Sequence, residues 1–175
     1  MVRKFSLILL IGLSAAAAQA QVPPEARPLT PGQTIERVIA GGESHTFQIS
    51  LVAGQFARFR MKQRAIDAAL ILAAPDGKQL VEMNLTRAGD EESLSVEAAA
   101  SGDYKMTVRA DGLASIRGTY RLEAVVKTSA TEPDKQRITA EALMIEADNL
   151  LPQAGKGAPK IIENMQKAVS IWRAE

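Results

Sequence analysis

The sequence predicts a mainly β chain: an antiparallel β-sandwich of jelly-roll type with about eight strands, followed by a C-terminal α-helical hairpin. Three observations predict it. Between residues 43 and 126 apolar and polar residues alternate with period two in short runs, separated by Gly-bearing turns. The run AALILAA at 68–74 is apolar throughout, as expected of a central strand covered on both faces. After residue 130 the apolar period changes from two to that of an amphipathic helix, twice over.

Taken in order, the chain opens with MVRKFSLILLIGLSAAAAQA, in which Arg3 and Lys4 precede an apolar run from Phe5 to Leu13 and Ala18-Gln19-Ala20 forms an A-x-A site. This predicts a secretory signal peptide over 1–20, cleaved near Ala20, and a mature chain exported to the periplasm or beyond. The apolar run is well short of the ~20 residues that cross a bilayer, so no membrane span is expected after cleavage. Residues 21–33 carry four prolines and predict an extended linker.

The sandwich is expected over 34–128. Thr34 to Ala40 is its first strand and Gly41-Gly42 a turn. Phe47, Ile49 and Leu51 then oppose Thr46, Gln48 and Ser50, giving a strand with one face on a core. After the Ala53-Gly54 turn, Ala57, Phe59 and Met61 oppose Arg58, Arg60 and Lys62, which predicts a hairpin partner with a basic outer row. Pro75-Asp76-Gly77 turns the chain after 68–74, because Pro presets φ, Asp bonds its own backbone and Gly tolerates positive φ. Further strands are expected at 78–84, around Leu94, Val96 and Ala98, along Tyr104, Met106, Val108 and Ala110, and along Tyr120, Leu122, Ala124 and Val126.

The helical hairpin is expected over 131–175. Thr131 is its N-cap, with Pro133 in the first turn and Asp134 completing an approximate capping box. Ala140, Leu143, Ala147 and Leu150 form the first stripe, with Glu141, Glu146 and Asp148 elsewhere on the surface. Residues 152–157 (PQAGKG) predict a stop. A second helix from about Ala158 sets Ile161 or Ile162, Met165, Ala168 or Val169, and Trp172 on one stripe. One hairpin cannot bury two such stripes in its own seam, so this pair docks on the sandwich, on a second copy or on a partner.

Composition excludes several classes. Residues 1–20 hold two basic residues and no acid, so the formal charge passes from +1 to −1 on cleavage, unlike a basic nucleic-acid binder. Cysteine is absent from an exported chain, leaving neither disulfides nor thiolate metal ligands, so apolar burial must hold the core.

The succession GGESHTFQISLVAGQFARF, IDAALILAAPDGKQL, SGDYKMTVRA and GTYRLEAVV, followed at once by the helix start at Thr131, resembles the N-terminal region of exported bacterial proteins. These pair a pre-peptidase C-terminal-like β-sandwich with tetratricopeptide repeats, often ahead of a caspase-like CHAT domain. The resemblance spans roughly residues 30–175. Of the second-helix positions Ile161, Met165 and Ala168, only Ala168 agrees with the repeat pattern, and the first helix lacks its Trp and Leu-Gly pair. The Cys of a CHAT peptidase is missing. The resemblance implies an accessory binding module without peptidase activity.

Candidate sites are few. His45 is the sole histidine and follows Ser44, but no acid or nucleophile elbow accompanies the pair, so a histidine at a strand edge is the reading preferred over a hydrolase. Asp90, Glu91 and Glu92 with Asp76 lack calcium-loop spacing and read as solvated acids; no metal or other cofactor is expected. Arg58, Arg60, Lys62 and Arg64 form a cationic row, either an anion- or partner-binding face or a solvated strand face guarding against aggregation. Trp172 reads as core packing from its stripe.

The function expected is a non-enzymatic, exported interaction module that makes protein–protein contacts, with homo-oligomerisation an open possibility. Its partner-binding candidates are Ile161, Met165 and Trp172 on the second helix and Arg58, Arg60 and Lys62 on the sandwich. The alternatives are a carbohydrate- or envelope-binding accessory sandwich, or the front of a longer repeat protein with a CHAT peptidase-like domain. Glycan stacking has poor support, because every aromatic of the mature chain except Phe56 falls on a core parity.

Overall fold

The computed structural model describes residues 26–174, and the signal peptide read at 1–20 lies outside them. Two sheets face each other. Sheet A has the order β1 (Arg27–Pro28), β3 (Ser44–Leu51), β8 (Gly102–Ala110), β5 (Ala68–Ala73), β6 (Gln79–Met83). Sheet B has the order β2 (Thr34–Ala40), β9 (Arg117–Lys127), β4 (Phe56–Arg64), β7 (Glu91–Glu97). Every strand pair is antiparallel except β1 on β3. Phe47, Ile49, Leu70, Met106 and Val108 from sheet A meet Phe59, Met61, Leu94, Leu122 and Ala124 from sheet B in one core.

The period-two alternation lands as expected, with Phe47, Ile49 and Leu51 buried on β3 and Ala57, Phe59 and Met61 buried on β4. The expected β3–β4 hairpin is not formed. β3 pairs with β8 and β4 with β7 and β9, so the chain crosses between sheets at Ala53-Gly54. Only the Pro75-Asp76-Gly77 turn, with Gly77 at φ 85°, joins successive strands of one sheet. Alternation specifies which face of a strand is buried and leaves its neighbour open.

The sandwich also begins before the expected linker ends. β1 pairs with β3, the Leu29 N–H donates to the Gln48 carbonyl, and Leu29 is buried. At the β4–β5 crossover, buried Gln63 accepts from the Ala68 N–H at 2.7 Å and donates to Thr86 Oγ1 at 3.1 Å, holding the turn and the 85–90 loop together.

Helix α1 (Glu132–Leu150) starts at a complete capping box. Thr131 Oγ1 accepts from the Asp134 N–H, and Asp134 Oδ2 accepts from the Thr131 N–H. Asp134 also takes Lys127 Nζ at 2.7 Å, tying the helix start to the end of β9. Burial opposes ionisation of Asp134, but Lys127 and Thr131 outweigh it and hold its carboxyl at about 2. A 3-10 turn at Leu151–Gln153 leads directly into α2 (Ala154–Ala174). The stop expected at 152–157 is only this turn: helix resumes at Ala154 and continues through Pro159, which removes a single i→i−4 bond.

α1 lies on β7, the outer strand of sheet B, and its Ile145 packs against the sandwich core. α2 packs on α1, through Ile161, Asn164 and Ala168 facing the Ala140 and Ala147 side. No described helix is long and apolar enough to cross a membrane.

Candidate binding surfaces

Each surface follows from which stripe a strand or helix leaves uncovered. On α2 the predicted stripe divides. Ile161 and Ala168 turn inward and are buried, Met165 is half-buried, and Trp172 is 37% exposed. Ile162 at 54% and Val169 at 39% join Met165 and Trp172 on an outer row spaced i, i+3, i+7, i+10. A helix with 3.6 residues per turn and apolar residues at both 161 and 162, and at both 168 and 169, has an apolar arc wider than one neighbour covers. Trp172 is therefore no core residue: it lines a 520 Å³ cleft with Met83, Leu85, Arg137 and Met144. Arg173 lies beside the row, lining a cleft with Met165, Gln166, Val169 and Ser170, whereas Lys160, Glu163 and Lys167 form an ion-pair ladder on the opposite face of the helix.

The cationic row of β4 lies on the outer face of sheet B. The rung through Lys62 sets two adjacent cations between two carboxylates, with Glu36 opposite Arg121, Arg121 opposite Lys62 and Lys62 opposite Glu91. Arg60 pairs with Glu123, its Nε at 2.7 Å, and this bond holds the guanidinium above its ordinary range. Arg121 pairs with Glu36 at 2.9 Å, and Arg58 donates to Ser93 Oγ at 3.0 Å. Carboxylates thus stand beside Arg60 and Lys62, while the Arg58 rung holds Val125 and Ser95.

His45 does not meet Ser44, whose side chain is exposed. Its Nδ1 lies 2.8 Å from Tyr120 Oη across the sandwich, and burial, followed by Arg37, holds its pKa below 6.5. Burial also raises the Tyr120 hydroxyl. Of the acidic candidates, Asp76, Asp90 and Glu91 are exposed, whereas Glu92 is buried and accepts from the Thr86 N–H and Oγ1 at 2.5 and 2.8 Å. Among the described residues no three His, Asp or Glu side chains are placed to hold a metal. Phe56, expected off the core parity, is buried with Lys127 Nζ 5.1 Å above its ring, so no aromatic of the sandwich forms an exposed platform.

Two buried polar residues escaped the sequence reading. Glu141 is only 6% exposed, where a surface position was expected. Its Oε2 accepts from the outward-pointing Ser95 N–H at 2.6 Å, and its Oε1 from Ser95 Oγ and Ser93 Oγ at 3.2 and 3.3 Å. The carboxyl thus closes the open edge of β7, an alternative to leaving ladder donors free. Burial pushes it up to about 7, against the Ser95 and Ser93 donors and nearby Arg58. A carboxyl poised near neutrality in a cleft is a candidate acid or base, but both oxygens are committed to β7, and we assign it to docking. Asn164 is fully buried in the α1–α2 seam, and among the described residues neither amide atom has a hydrogen-bond partner. The signal for both lay in the stripes, since Glu141 falls between Ile138 and Ile145, and Asn164 between Ile161 and Ala168.

No family model matches the sequence, and no curated protein matches it. Among solved structures, the chain is similar to the pre-peptidase C-terminal domain of collagenase from Bacillus anthracis, at 16% identity and TM-score 0.49, covering 60% of this chain and 99% of that one. It is also similar to PliG, a periplasmic inhibitor of g-type lysozyme, from Aeromonas hydrophila, at 13% identity and TM-score 0.48, covering 58% and 96%. PliG from Salmonella Typhimurium follows at 18% identity and TM-score 0.44, covering 58% and 98%.

Proposed function

We propose that the chain is an exported, non-enzymatic binding module in which the sandwich holds a helical hairpin, and the outer face of α2 receives an amphipathic helix of a protein partner. One observation carries this reading: α1 is flanked by β7 and α2, while α2 keeps Ile162 and Val169 exposed in one row with half-buried Met165 and part-exposed Trp172. A row of this kind is the receiving half of a helix-in-groove contact, read through i, i+3, i+7 anchors. Charge selects the occupant. Arg173 beside the row favours a helix whose flank carries Glu or Asp there. The sandwich-borne alternative, glycan stacking, lacks an exposed aromatic platform, and two of the β4 cations already face acids, Arg60 opposite Glu123 and Lys62 opposite Glu91. Export rests on the 1–20 pattern alone.

The test uses two helix-stabilised synthetic peptides that share one leucine stripe, one flanked by glutamates and the other by lysines. The glutamate peptide is expected to bind and shift the emission of Trp172, the only tryptophan. Ile162→Glu with Val169→Glu should abolish that binding while leaving the melting temperature in place, since both side chains are exposed. Equal binding of both peptides, or none, would remove the reading.

A further inference from the structure

The two sheet edges beneath α1 are treated differently. β7 has its outward Ser95 N–H closed by Glu141. β6 is the end strand of sheet A and pairs with β5 alone, so among the described residues no strand takes the ladder groups on its other side. α1 leans on β7 and stands off β6. The gap holds two clefts of 570 and 560 Å³ that join through Leu80, Val81, Ile145 and Asn149 and run along β6. Each is of the size that binding pockets take, roughly 300–1,000 Å³. The β5–β6 register shifts at Leu72/Ala73, so Leu80 is an extra residue, 43% exposed and lining both clefts. Val81, Met83, Leu94, Ile138, Ala142 and Ile145 supply an apolar lining. The charged residues lining the clefts are all acids: Glu82, Glu97, Glu141, Glu146 and Asp148, with no lysine or arginine. Of these, Glu82 is matched by Arg109 at 2.6 Å and Glu141 is bound to β7.

We infer that this groove binds an extended peptide segment of apolar residues alternating with basic ones, laid along β6 as an added strand. Its backbone exchanges hydrogen bonds with the open edge of β6 over Val81 to Met83, its apolar side chains enter the cleft, and its cations meet Glu97, Glu146 and Asp148. The open ladder supplies affinity, the cleft selects side chains of one parity, and the acidic rim selects charge. No residue of α2 lines this groove, and its occupant carries the opposite charge, so it stands independently of the helix-binding reading.

The probe is a fluorescein-labelled nine-residue peptide of alternating valine and lysine, added to the full chain and followed by anisotropy and by amide hydrogen exchange. It should bind, slow exchange at residues 79–85, and lose at least about tenfold in affinity when the lysines become glutamates or when alternate amides along one edge are N-methylated. The exposed pair Glu146→Lys and Asp148→Lys should weaken binding by a similar factor at an unchanged melting temperature. Equal affinity of the glutamate or N-methylated peptide, protection on α2 or β4 instead of β6, or no binding at about 1 mM would each overturn the inference.

Discussion

Glu141→Gln tests the docking of α1 on β7. A buried neutral carboxyl and a glutamine are near-isosteres: the amide oxygen still accepts from the Ser95 N–H, and the amide NH₂ donates to the Ser95 and Ser93 hydroxyl oxygens. The parent, however, titrates. Its Glu141 carboxyl is raised from 4.5 to about 7 in the folded chain. A raised carboxyl makes the folded state hold its proton more tightly than the unfolded state, so the contribution is fully present below 4.5 and is lost as pH rises through about 7. At about 1.4 kcal/mol per pH unit, that gap comes to about 3 kcal/mol lost between pH 4 and pH 8. Other groups titrate in the same window, His45 in the opposite sense and Glu92 in the same sense, so the informative quantity is the difference between parent and variant. Urea unfolding followed by Trp172 emission and far-UV circular dichroism should give equal stabilities at pH 4. At pH 8 the variant should be about 3 kcal/mol more stable than the parent. Parallel pH profiles would refute the reasoning and show that Arg58 and the β7 donors keep Glu141 ionised.

Other expectations are read from single measurements. Asn164→Leu should raise the melting temperature by an amount worth about 1–3 kcal/mol, because it replaces two unpartnered amide atoms in a buried seam by methyl groups on a side chain of the same branching; a lower melting temperature would mean that the amide has a partner in solution or that the larger side chain does not fit. Gly118→Ala should cost about 1–3 kcal/mol, since the new Cβ would sit 2.4 Å from the Arg64 carbonyl oxygen and 2.6 Å from Ile66 Cβ, and thermal unfolding within error of the parent would contradict it. Thr131→Ala should lower stability by about 1 kcal/mol through loss of the N-cap, visible as faster amide exchange in the first turn of α1.

The strands were legible because an antiparallel sheet with one covered face writes its period into the sequence: Phe47, Ile49 and Leu51, or Tyr104, Met106 and Val108, allow no other burial. Partnership was less legible. Ala53-Gly54 reads as a hairpin turn, yet β3 and β4 separate into different sheets, because strands of eight and nine residues on the two sides of one core have equivalent patterns. The start of α1 was legible through Thr131, Pro133 and Asp134, whose chemistry is local. The start of α2 was not, because PQAGKG carries the marks of a breaker while tertiary contact with α1 holds it helical. On the surfaces, the α2 stripe could be read as apolar, but its division into a buried row through Ile161 and Ala168 and an outer row through Ile162 and Val169 depends on where α1 lies. Glu141 looked like a surface acid for the same reason. The exposed edge of β6 is a property of strand order and leaves no mark in residues 79–83.

The central claim is that α2, and not the cationic face of β4, is where a partner seats. The most direct measurement is a ¹H–¹⁵N correlation map of the chain titrated with the glutamate-flanked helix. The account predicts shifts concentrated at Ile162, Met165 and Val169 and at the Trp172 indole, with Arg58, Arg60 and Lys62 unmoved; shifts confined to β4, or none anywhere on α2, would contradict it.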